Sequence, residues 1–142
     1  MKIMKKKLTT LLATMIALVA AFTLTACGKP SLEDWYANQE ADFQELEDTV
    51  NSQDMGCTLD IKVVDGNVLV FDYTLTTAFD TSDPANVEAL GQVYDSMFDS
   101  YSATFSEVRS QVLAETSTED VVIRLVASNP DGTELYSRDF AE

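Results

Sequence analysis

Two Asp-Gly pairs, Asp65-Gly66 and Asp131-Gly132, each lie between two short runs of alternating apolar and polar residues. A tight hairpin needs residues that tolerate positive φ, and Asp or Asn followed by Gly supplies them. The alternation predicts strands over Cys57–Asp65, Val68 to about Thr77, Val121–Ala127 and Glu134–Phe140. Val68-Leu69-Val70-Phe71 is apolar on both faces, which marks the second strand as central.

Each hairpin follows an amphipathic stripe. Ser31 is placed to cap a helix reaching about Asn51, with Leu32, Tyr36, Phe43, Leu46 and Val50 on one face and Gln39 inside the stripe. Trp35, near its start, is expected in the core. Asp83 and Pro84 open a second helix, whose stripe runs from Val87 through Leu90, Tyr94, Met97, Tyr101, Phe105 and Val108 to Val112 and ends near Glu115. The order is helix-strand-strand, twice. The expected fold is α+β: a single domain over residues 31–142, with a four-stranded antiparallel sheet and two helices packed on one face.

Residues 1–26 stand outside that pattern. Lys2, Lys5, Lys6 and Lys7 precede an uncharged stretch from Leu8 to Ala26. A positive start, an apolar middle and a small-residue end are the parts of a secretory signal. Five threonines interrupt the apolar part, whereas a membrane span needs about 20 predominantly apolar residues. Its end, Leu24-Thr25-Ala26-Cys27, resembles a bacterial lipobox. The resemblance implies cleavage between Ala26 and Cys27 and a covalent diacylglyceryl group on the Cys27 thiol. The expected address is the extracytoplasmic face of the cell membrane, where two acyl chains give stable anchoring. Residues 27–30 would be the lipidated cysteine and a tether of about 10 Å.

The chain beyond Ala26 holds all 24 acidic residues but only Lys29, Lys62, Arg109, Arg124 and Arg138 as bases, a formal charge of −19. Such a field repels phosphates, so nucleic acid is not an expected partner. Lipidation would use Cys27 and leave Cys57 without a disulfide partner. Leu59, Ile61 and Val63 alternate with Cys57, which predicts a buried thiol.

The chain has no histidine, which excludes Ser-His-Asp and Cys-His catalytic pairs and histidine-ligated zinc. Its five glycines are scattered, and no phosphate-binding loop is formed. Asp80, Asp83, Asp131 and Glu134 lie where calcium ligands could converge, but without the spacing of a calcium loop. Turn and cap duties account for them better. No catalytic residue, metal site or cofactor beyond the lipid is expected.

Lipobox, acidic first helix, the hairpin Leu59–Val63 to Val68–Tyr73, a long helix ending near Leu113, and the Asn129-Pro130-Asp131-Gly132-Thr133 turn before Tyr136–Phe140 resemble small lipoproteins of Gram-positive bacteria with a C-terminal domain of unassigned function. The resemblance implies a place and a fold, and no catalytic residues. The leading functional expectation is a non-catalytic binding module for a protein, peptide or envelope component. Val68, Val70, Val122 and Val126 form the candidate interaction face, opposite Leu69, Phe71, Ile123 and Leu125. The alternatives are a carboxylate-based hydrolase of wall glycans and an accessory subunit of a membrane complex.

Overall fold

A computed structural model describes residues 28–141. The expected cleavage after Ala26 and lipidation of Cys27 lie outside the described residues. Among the described residues no helix is long and apolar enough to cross a membrane.

The first predicted helix is present in two pieces, α1 (Leu32–Asn38) and α2 (Glu40–Ser52). Ser31 caps α1 as expected, its Oγ accepting the Asp34 N–H at 3.2 Å. Gln39 breaks the helix with φ −116° and ψ 13°, and its side chain is buried. The second stripe is also divided, into α3 (Pro84–Asp99) and α4 (Ser102–Glu115), with Ser100 and Tyr101 between them. Asp83 caps α3 through the Ala85 N–H at 2.9 Å, ahead of Pro84 at the first turn.

Both breaks fall between aromatic residues that pack together. Residues seven or eight apart on a straight helix are about 10–12 Å apart along its axis. Trp35 and Phe43 nevertheless meet edge-on at 5.7 Å, Tyr36 stacks on Phe43 at 5.2 Å, and Phe98 meets Phe105 at 6.2 Å. Each bend lets one stripe curve around the sheet.

The strands are β1 (Cys57–Val64), β2 (Val68–Leu75), β3 (Val122–Ser128) and β4 (Glu134–Phe140), in spatial order β1-β2-β3-β4. Both hairpins are antiparallel. The first turns through Asp65 at φ 56° and Gly66 at φ 76°, the left-handed pair that the sequence supplies. The expectation of an all-antiparallel sheet is corrected: β2 and β3 run parallel, from Val68↔Val122 to Thr74↔Ser128, and the sheet is mixed. The reason lies in the connection. Helices α3 and α4 carry the chain from the far end of β2 back to the end where β2 began, and that crossover leaves β3 parallel.

All four helices contribute to a core on one face of the sheet. Leu59, Ile61, Leu69, Phe71, Ile123, Leu125 and Phe140 point into it and meet Trp35, Phe43, Leu46, Val50, Phe98, Phe105, Val108 and Val112. Trp35 is 1% exposed, so its place is the core. The indole N–H donates to Glu115 Oε2 at 2.9 Å, tying α1 to the end of α4.

The free edge of β1 is closed by side chains. Asn51 Oδ1 accepts the Leu59 N–H at 2.7 Å, Glu47 Oε1 accepts the Ile61 N–H at 2.7 Å, and the Tyr36 hydroxyl donates to the Ile61 carbonyl at 2.6 Å. Unpaired strand edges template association with other chains, and these three bonds occupy groups of Leu59 and Ile61 in the middle of that edge.

Candidate functional site

The expected face assembles as a unit. Val68 pairs with Val122, Val70 with Arg124, and Asp72 with Val126, all on the side of the sheet away from the core cluster. Val68 and Val70 retain 5% and 4% of their surface, whereas Val122 and Val126 are half-buried. Val70 sits in register between Lys62 and Arg124. Lys62 Nζ lies 3.4 Å from Asp72 and 3.9 Å from Asp60, and Arg124 makes a bidentate pair with Asp139 at 2.7 and 3.0 Å. A partner approaching this face would meet ion pairs, with Val122 and Val126 between them.

A more open apolar surface lies beside α3. Phe79, in the loop between β2 and α3, faces Asn86, Ala89, Leu90 and Val93 across a shallow groove of about 460 Å³. These helix positions follow i, i+3, i+4, i+7 spacing and form one stripe. Val93 is 52% exposed and is the large apolar side chain left exposed among the described residues. Asp80 is the carboxylate at the rim.

Phe79 is held by a clamp from the opposite end of the chain. Asn129, at the end of β3, accepts the Phe79 N–H through Oδ1 at 2.7 Å and donates through Nδ2 to the Phe79 carbonyl at 2.9 Å. The β3–β4 turn holds Asn129 in place: its own N–H donates to the Thr133 carbonyl at 2.8 Å, and its carbonyl accepts the Gly132 N–H at 2.9 Å. Gly132 has φ 90°, which a side chain would strain.

The other wall is latched to β4. Tyr136 donates to Asp95 Oδ1 at 2.7 Å, Arg138 donates to the Asp95 carbonyl at 3.3 Å, and Arg138 Nη2 pairs with Asp99 at 2.7 Å. Tyr94 and Phe98 pack against the Tyr136 ring at 5.1 and 5.8 Å. Burial and the bond to Asp95 push the Tyr136 phenol up to about 12.

The ionisable groups have structural duties here. Glu47 is the carboxyl pushed up, first by burial, and it accepts the Ile61 backbone bond described above. Asp80 is held below the usual carboxylate range by its bonds to Ser82, and Asp131 by its bonds to Thr133. Asp83 caps α3. Three of the four residues weighed for calcium thus serve turns or a cap, and among the described residues no group of three acidic, His or Cys side chains could hold a metal ion. Burial pushes the half-buried Cys57 thiol up. The Tyr73 hydroxyl, pushed up by burial, is buried without a hydrogen-bond partner.

The groove was not evident from sequence. Val87, Leu90, Tyr94 and Met97 read as a core stripe, and only Phe98 of α3 is fully buried. An Asn-Pro-Asp-Gly run signals a turn, but nothing in it points 50 residues back to Phe79.

No match was found among curated proteins, and none among solved structures. A family model described as a domain of unknown function, DUF4854, matches residues 32–140, from the start of α1 to the end of β4. The chain belongs to the DUF4854 family.

Proposed function

We propose that this chain is a non-catalytic binding module, anchored to the extracytoplasmic face of the membrane through a lipid on Cys27, which presents the groove between Phe79 and α3 to a partner. The observation that carries the reading is the construction of the groove. A buried amide clamps Phe79 opposite Ala89, Leu90 and exposed Val93. Holding Phe79 in place before a partner arrives lowers the cost of ordering it on binding. The lipobox-like Leu24-Thr25-Ala26-Cys27 supports the anchor.

Anchoring is tested by fractionating cells that carry Cys27→Ser. Loss of the acyl chains should move the mature-sized protein out of the membrane fraction, and retention there at full level would remove the anchor from the reading. Binding is tested with a benzophenone side chain at position 93, and a control at position 119, in intact cells. The expected result is an adduct from position 93 alone, identified by mass spectrometry and abolished by Asn129→Ala. Equal adducts from both positions, or none from position 93, would refute a role for the groove.

A further inference from the structure

Resting on that reading, we infer that the groove takes a cationic amphipathic segment of a protein or peptide, seated by its apolar side chains between Phe79 and α3. Shape supplies one half of the argument. The apolar positions Ala89, Leu90 and Val93 extend for about one helical turn, roughly 6 Å, and so suit a pair of apolar side chains three or four apart on a bound helix. Ala89, short and central, lets such a segment come close.

Charge supplies the other half. From residue 63 to residue 108 the chain has no Lys or Arg, but it has Asp65, Asp72, Asp80, Asp83, Glu88, Asp95, Asp99 and Glu107. Both walls of the groove come from this stretch. Lys62, Arg124 and Arg138 are already paired with carboxylates, and Arg109 donates to the Val121 carbonyl at 2.6 Å. Of these carboxylates Asp80 lines the groove, while Asp72 and Asp99 are the partners of Lys62 and Arg138; what is left for a partner to neutralise is the chain's net negative charge, with Asp80 at the groove itself. A second copy of this chain, −19 beyond Ala26, would be repelled, and so would an anionic lipid surface.

The test uses the full chain in zwitterionic phospholipid nanodiscs, with empty nanodiscs as the blank. Three 14-residue peptides share one leucine stripe at spacings of three and four, and carry lysine, glutamine or glutamate elsewhere. Binding is read by the methyl resonances of Ala89, Leu90 and Val93 and by peptide anisotropy at about 50 and 300 mM salt. The lysine peptide should shift those methyls saturably, bind at least tenfold more tightly than the glutamate peptide, and weaken with salt. The decisive variant is Val93→Asp, at an exposed position the fold does not need. Unspecific attraction predicts tighter binding from the added charge. The groove predicts at least fivefold weaker binding despite it. Asp80→Asn should weaken binding about twofold and flatten its salt dependence.

Tighter or unchanged binding by Val93→Asp overturns the seating. Equal affinity for the glutamate peptide overturns the charge selection and leaves the groove as a binding site. If no peptide shifts the groove methyls, the inference and the reading beneath it fall together. Self-association without peptide, driven through the same methyls, would make the occupant a second copy and refute the inference.

Discussion

The Asn129 clamp sets a quantitative expectation. Asn129→Ala removes two hydrogen bonds, at 2.7 and 2.9 Å, from a side chain whose residue is 5% exposed. The turn itself should survive, because its bonds to Thr133 and Gly132 use the Asn129 backbone. A typical intramolecular bond contributes about 1 kcal/mol net, and a buried group left unpaired costs about 1–3 kcal/mol. Phe79 is half-buried, so water reaches part of its freed backbone. Two bonds at the lower figure give a loss of about 2 kcal/mol. For a domain of this size that lowers Tm by about 8 °C. Urea unfolding followed by Trp35 fluorescence suits the measurement, since Trp35 is the chain's one tryptophan and is 1% exposed. The midpoint should fall with the slope unchanged. Asn129→Asp sharpens the test. At neutral pH it keeps an acceptor for the Phe79 N–H but sets an anionic oxygen against the Phe79 carbonyl, so it should destabilise more than Ala. Below the carboxyl pKa the protonated oxygen can donate, and the order of the two variants should narrow or reverse. A loss under about 0.5 kcal/mol for Asn129→Ala, the range of ordinary surface changes, would refute the clamp.

Arg138→Ala removes the Asp99 pair, the bond to the Asp95 carbonyl and a guanidinium 5.1 Å over the Phe140 ring. Asp99 is 66% exposed, so the ion pair counts for little, and a total loss of about 1–2 kcal/mol is expected from urea melts, with faster amide exchange in α3. Tyr136→Phe should remove a tyrosinate transition with a midpoint near 12 from the ultraviolet titration. Because the folded pKa of Tyr136 is raised, its contribution is fully present below the unfolded value near 10 and is lost as pH rises towards 12; the variant should lose less stability than the parent across that window. Burial raises the Cys57 pKa, so at pH 8 iodoacetamide should alkylate it at least tenfold more slowly than free cysteine, with urea restoring the free rate; fast alkylation of the native protein would contradict its burial.

Local signals account for what the sequence made legible. Asp65-Gly66, Ser31 and Asp83 act within a few residues, and each took the conformation its chemistry requires. Strand direction was less accessible. Whether β3 runs with or against β2 depends on where 46 intervening residues deliver the chain, and a continuous apolar stripe from Val87 to Val112 fits either outcome. The helix breaks left a faint trace. Gln39 is a polar residue inside an apolar stripe, and its burial with Oε1 unpartnered marks the place where the stripe changes direction. Tyr101 leaves no such trace, since an aromatic residue suits the stripe and the break equally.

The groove depends on that second break. A helix straight from Pro84 to Glu115 would hold the whole stripe in one line, Val87 to Val112 against one core. Divided at Ser100 and Tyr101, α4 buries Phe105, Val108 and Val112, while α3 keeps only Phe98 fully inside. The rest of α3 is held at the sheet's β4 edge by Tyr136 and Arg138, through polar bonds on the opposite flank from Val93. The apolar side chains of α3 then divide: Tyr94 and Met97 pack against the core, while Ala89, Leu90 and Val93 line the groove with Phe79. Leu90 is therefore a residue that sequence assigns to the core and that lines the surface instead, beside Ala89 and Val93, and the difference is made by a two-residue interruption and by partners about 40 positions away. Straightening the break should close the groove. Ser100→Ala with Tyr101→Leu raises helix propensity at both positions, by roughly 0.5 kcal/mol each. If the joint then becomes continuous helix, protection of the Ser100–Ser102 amides should rise and the Ala89 and Val93 methyl resonances should shift as α3 changes its place relative to Phe79. Greater protection with those methyls unmoved would show that the break and the groove are independent.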